Sequence, residues 1–173
     1  MRFEPVSAST TLINFRLRYA VILSNQGPVD AAAVALRIGL FAGTKASESG
    51  VAQWLTLPGE APHHVIATIA AGGEFRFEGE LAAPLDALGP MTVEGRTLAI
   101  ALLAVDARYN NIDGEALIDG QVARAYVVGR EVPMRSGAAQ GDTPAKLAPF
   151  RLDIGPTSFA PLGFRDTGIS RYA

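Results

Sequence analysis

The residues able to do chemistry are few, and their spacing serves it poorly. Histidine occurs only at His63 and His64. Any metal site or base built on imidazole must therefore use one of two neighbours. In an extended chain adjacent side chains leave on opposite faces, so the pair cannot chelate one ion. They read as surface residues after Pro62. A serine nucleophile would depend on the same histidines. No G-x-S-x-G elbow is present, and "GPTSFAPLG" has only its outline. A serine–lysine pair would fall to Lys45 or Lys146, both in segments that read as loops. "GTKAS" lacks the Gly-Lys pair and spacing of a phosphate loop. The chain has no cysteine, which removes disulfides, thiolate nucleophiles, zinc–thiolate sites and iron–sulfur clusters together.

The acidic stretch "RYNNIDGEA" is the next candidate. Setting Gly114 as the sixth residue of an EF-hand loop puts Tyr109 first and Gly120 twelfth, where a bidentate Glu is needed. That pattern fails. An irregular calcium site using Asp106, Asn111, Asp113 and Glu115 stays open, and a β-turn explains the same residues. Asp106, Asp113, Glu115 and Asp119 are also close enough in sequence to suggest a carboxylate pair for glycoside hydrolysis. Arg16, Arg18 and Arg37 share one polar sheet face if the first two long strands are neighbours. They would then meet an acidic partner, or pair with Glu78 and Glu80.

The elements that must position these residues have a period of two. Phe15, Leu17, Tyr19, Val21 and Leu23 alternate with Arg16, Arg18, Ala20 and Ile22, the pattern of a half-buried strand. Val34, Leu36, Ile38 and Leu40 repeat it. Between them, Asn25–Asp30 is a turn or a crossover between sheets. Residues 44–60 break the alternation and predict a short helix near 47–57. Ser47 or Ser49 would cap it, Pro58-Gly59 would stop it, and Val51, Trp54 and Leu55 would share its buried face. Trp54 would plug one end of the core. Strand patterns return at His64–Ala70 and at Phe75–Leu81. Thr97–Ala107 reads as a central strand buried on both faces, and Ala116–Val128 as its hairpin partner. Leu85–Leu88 suggests one helical turn, and Phe150–Ile154 a short edge strand. Ser136–Ala145 reads as a mobile loop. The segment 156–173 reads as a tail that stays loose unless it docks.

This yields one domain over residues 1–155: an all-β, immunoglobulin-like sandwich of seven or eight strands with a short helical insertion. No βαβ alternation points to a parallel sheet. With 173 residues, 49% of them apolar and 18% charged, the composition is globular. A net charge of −2 with no basic stripe disfavours nucleic acid. No signal peptide or membrane-length apolar run is visible. The chain begins almost directly in a strand-like pattern, which suggests a segment cut from a longer precursor.

"RYAVILSNQGPVDAAAVALRI" resembles a motif of bacterial cell-surface immunoglobulin-like domains of the CARDB type. In these a strand ends in Asn-x-Gly and Ala-x-x-Val opens the next. "ATIAAGGEFRFEGEL" is similar to the second part of that pattern. "YVVGRE" and "FRLDIGPTSFAPLG" resemble the end of an uncharacterised domain of membrane-anchored alphaproteobacterial proteins. The resemblance implies a non-catalytic interaction or scaffolding module in the periplasm or cell envelope. It implies a protein or envelope component as partner, no cofactor, and membrane contact only through a segment outside this chain. It carries over no catalytic residue. The alternative expectation is a carbohydrate- or calcium-binding module working through the 106–119 hairpin. Less favoured is a small hydrolase using its acidic residues.

Overall fold

A computed structural model describes residues 1–57, 61–113, 116–132 and 146–172. Within them the strands are β1 (Arg2–Thr10), β2 (Asn14–Ser24), β3 (Ala31–Ala42), β4 (His64–Ile69), β5 (Glu74–Pro84), β6 (Met91–Val93) and β7 (Arg96–Ala99). They continue as β8 (Ala101–Asp113), β9 (Ala116–Val132), β10 (Lys146–Ala148), β11 (Phe150–Arg151), β12 (Thr157–Phe159) and β13 (Leu162–Tyr172). One helix, α1 (Lys45–Thr56), follows β3, and a 3-10 turn spans Asp86–Leu88.

The long strands form two antiparallel sheets. One has the order β12-β1-β2-β5 and the other β10-β9-β8-β3-β4, with β13 also paired to β9. The chain lays β1 and β2 in the first sheet, crosses to the second for β3 and β4, returns for β5, and crosses again for β8 and β9. That is the alternation of an all-β, immunoglobulin-like sandwich. The inward stripes read from the sequence form its core, with Phe15, Leu17, Tyr19 and Val21 facing Val34, Leu36, Ile38, Leu103 and Val105. Gly79 lets this stripe close. A Cβ there would lie 2.6 Å from Tyr19 Oη and 3.0 Å from the Phe77 ring.

Several expectations change. Asn25–Asp30 is a crossover between sheets, so β2 and β3 are not neighbours. Thr97–Ala107 is not one strand. The chain changes sheets at Ile100, leaving β7 with β6 and β11 while β8 enters the large sheet. From Ala101 to Ala107 every residue is buried, as a strand covered on both faces requires. The helix begins earlier than expected, with Thr44 rather than Ser47 or Ser49 at its N-cap. It lies over the outer face of the β3-β8-β9 sheet, not over one end of the core. There Val51 and Leu55 form a second cluster with Leu102, Ala104, Ala123 and Ala125. Pro58-Gly59 and Ser136–Ala145 fall outside the described residues.

The C-terminal segment docks. β12 pairs with β1, and β13 pairs with β9 from Leu162↔Arg130 to Tyr172↔Val122. Phe164 anchors it, edge-on to Phe3 at 5.3 Å and to Tyr126 at 5.7 Å. Among the described residues no helix is long and apolar enough to cross a membrane.

Candidate functional site

Among the described residues, two places set polar side chains against the core or the helix. The first is a buried joint beneath α1. On the outer face of the large sheet, Asp106 is fully buried and accepts hydrogen bonds through Oδ2 from the Arg37 guanidinium and from Arg108 Nε at 3.1 Å. Its Oδ1 accepts one from Gln121 Nε2 at 2.8 Å. The remaining donors turn to the helix. Arg37 Nη2 donates to the Trp54 carbonyl at 3.3 Å, Gln121 Nε2 to Leu55 at 2.8 Å, and Arg108 Nη2 to Leu57 at 2.8 Å. A helix leaves its last carbonyls without partners, and its C-terminal end attracts cations. The last turn of α1 contains no basic residue, so the sheet supplies two. Arg37 also lies over the Trp54 ring, 4.6 Å from its centroid. All of Asp106's capacity is committed to these donors, which makes the joint a structural clamp.

The second place is the loop end of the sandwich. A cavity of about 590 Å³ opens there between the Asn25–Asp30 crossover and the β8–β9 hairpin. Its floor is the end of the core, formed by Leu23, Ala31, Val34, Ile69, Ala107 and Val122. Ala31 and Val34 both reach it because β3 has a bulge between them, where Ala33 takes φ 49°. That conformation strains an alanine and keeps both neighbours on the inner face. The rim is polar: Gln26, Tyr109, Asn111, Arg124 and Tyr172. Arg124 Nε donates to Tyr172 Oη at 2.8 Å, and Nη1 reaches Asp166 at 3.4 Å. The Tyr172 hydrogen bond leads in holding Arg124 further toward its charged form.

The crossover is a rigid wall. Asn25 Nδ2 donates to the carbonyls of Val29 at 2.8 Å and Ile69 at 2.9 Å, while its Oδ1 accepts from Gly27 N at 3.0 Å. Asp30 Oδ1 accepts from Ala71 N at 2.9 Å. These bonds satisfy the turn backbone and tie it to the loop joining β4 and β5.

No protein-family model, curated protein or solved structure matches the chain. The site is therefore read from its own geometry, beginning with the residues singled out above. Arg16 and Arg18 project from the outer face of the smaller sheet, where Arg16 sits 3.6 Å from Glu80 and Arg18 is the register partner of Glu80. Arg37 does not join them. It is on the other sheet, nearly buried beneath α1, because the crossover separates β2 from β3. The proposed calcium ligands are not brought together either. Asp106 faces the helix, whereas Asn111, five residues along β8, lines the cavity on the opposite face. The Asp113 side chain and Glu115 lie outside the described residues. Asp106 and Asp119 share the outer face, yet four residues of strand separate their ladder positions. That is roughly 13 Å, beyond the reach of a glycosidase pair. His63 Nδ1 accepts a hydrogen bond from Ile38 N at 3.2 Å, while His64 stacks on Phe77 at 5.1 Å, so the two do diverge.

Arg124, Tyr109 and Tyr172 are the site residues that pattern reading missed. One signal was available for Arg124. It interrupts the inward stripe Val122, Tyr126, Val128 of β9, and a cation on an apolar stripe needs a reason.

Proposed function

We propose that this chain is a non-catalytic interaction module of a bacterial cell-envelope protein, and that it binds at the loop end of its sandwich. The observation that carries this reading is the cavity of about 590 Å³, with an apolar floor and a polar rim held by a hydrogen-bonded crossover. Such a volume and lining are typical of small-ligand sites. The described lining residues include no histidine and no carboxylate, and the Ser24 hydroxyl at the rim donates to the neighbouring Glu74 carboxylate at 2.6 Å. Placement in the envelope rests on the resemblance of Arg18–Ile38 and Ala67–Leu81 to bacterial cell-surface domains.

A fragment titration of the ¹⁵N-labelled chain tests the site. Amide shifts are expected to cluster on residues 23–31, 107–111 and 122–124. Shifts confined to the β5 face or the β4 edge would overturn it, as would none. Fractionation of the native cell tests the placement, and a cytoplasmic pool alone would remove it.

A further inference from the structure

We infer that the loop-end cavity takes an amphipathic anion: an apolar chain carrying one carboxylate, with the chain on the floor and the carboxylate against Arg124. The inference rests on the binding reading above and adds the class of ligand.

The floor sets the first half of the argument. Ala31, Val34, Ile69 and Ala107 are members of the main core cluster, each at most 6% exposed. A ligand's apolar end would therefore extend the core rather than rest on a wet surface. The side chains available there offer no donor or acceptor, so a sugar ring would lose hydrogen bonds to water without replacement.

The rim sets the second half. Among the described residues, the ionisable side chains lining the cavity are Arg2, Arg124 and two tyrosines, Tyr109 and Tyr172. Arg2 is mostly exposed and is paired with Glu4 at 3.2 Å. Arg124 stands on the inward face of β9, between the floor residue Val122 and the core residue Tyr126. It spends Nε on Tyr172, an Nη1 contact on Asp166 at 3.4 Å and a further contact on the Tyr126 hydroxyl, and a guanidinium with five N–H donors keeps part of its capacity for a ligand beyond these three. A planar guanidinium offering parallel N–H groups matches a carboxylate. Asn111 and Tyr109 add neutral donors to the same rim.

The test titrates the labelled chain with hexanoate, octanoate and decanoate, and with the matching primary alcohols, all below micelle concentrations. Carboxylate affinity is expected to rise about three- to fourfold per methylene, with shifts centred on Ala31, Asn111 and Val122. The alcohols should bind at least about tenfold more weakly. Arg124→Met should bring acid and alcohol affinities together, Arg124→Lys should keep part of the acid preference, and Val29→Trp at the mouth should weaken both series. Alcohols binding as tightly as the acids, at the same amides, would overturn the anion assignment and leave the cavity as a site. No shift at these amides with any probe would overturn both. Should Arg124→Met loosen β13, the acid–alcohol ratio on the unmodified chain still decides.

Discussion

Asp106 and Arg16 belong to ion pairs of opposite kinds. The Asp106 carboxylate is fully buried against two arginines, while the Arg16–Glu80 pair is about half exposed on both sides. Removing one member of a buried pair leaves the other charge desolvated. Asp106→Asn is therefore expected to cost about 3 kcal/mol in urea unfolding. Arg16→Ala should stay within about 0.5 kcal/mol. Equal effects would mean that the joint is as wet as the surface. Tyr19 supplies a pH prediction. Burial pushes its phenol up from 10 to about 12. Below pH 10 both folded and unfolded chains are protonated, and the contribution is complete. Above it the unfolded chain ionises first, so stability falls by about 1.4 kcal/mol per pH unit until about pH 12. Tyr19→Phe should flatten most of that slope. The slope that remains belongs to Tyr126, which burial also raises. The Tyr19 position was legible, since it sits on a clean alternating stripe. The Arg37–Asp106 pairing was not, because 69 residues separate the partners and each alone looks like an ordinary polar-face residue.

Strands written in strict alternation, β2, β3 and β5, were readable because one face of each is apolar. β13 was not. "LGFRDTGISRY" has little alternation, and its register with β9 shifts between Asp166 and Ser170, where Gly168 takes φ 79°. Its place is fixed by backbone pairing, by the Phe164 anchor, by Ile169 against the α1 cluster and by Arg124 holding Asp166 and Tyr172, none of which leaves a periodic mark. The crossover was readable as a turn but not as a cavity wall, since that role depends on which hairpin faces it. Edge strands differ in protection. β5 presents Glu74, Arg76, Glu78 and Glu80 outward, whereas β4 has no lysine, arginine, carboxylate or proline and exposes Val65 by 58%. Uncharged edges invite pairing with other chains. Val65→Lys is expected to leave unfolding stability within about 0.5 kcal/mol while slowing heat-induced aggregation, followed by light scattering. Unchanged aggregation would show that the β4 edge is not where chains meet.

Across the whole molecule, contacts join distant parts of the chain: β1 to β12, β1 to β13, β2 to β5 and β3 to β8. Chains dominated by such pairings close costly loops before they gain from them. Refolding from urea is expected in milliseconds to seconds by stopped-flow, and a microsecond phase carrying the full amplitude would contradict it. The fold class was legible at this scale from strand count and turn spacing. The third small sheet was not, because a single continuous apolar run conceals the switch at Ile100.

The only tryptophan of the chain, Trp54, sits where α1 meets the sheet, edge-on to Phe41 at 5.7 Å and capped by the Arg37 guanidinium. The molecule thus contains its own optical reporter. Its emission arises from one place, the seam between helix and sheet, with no background from a second indole. Lifting of the helix would register as a change in colour and intensity before the strands themselves separate.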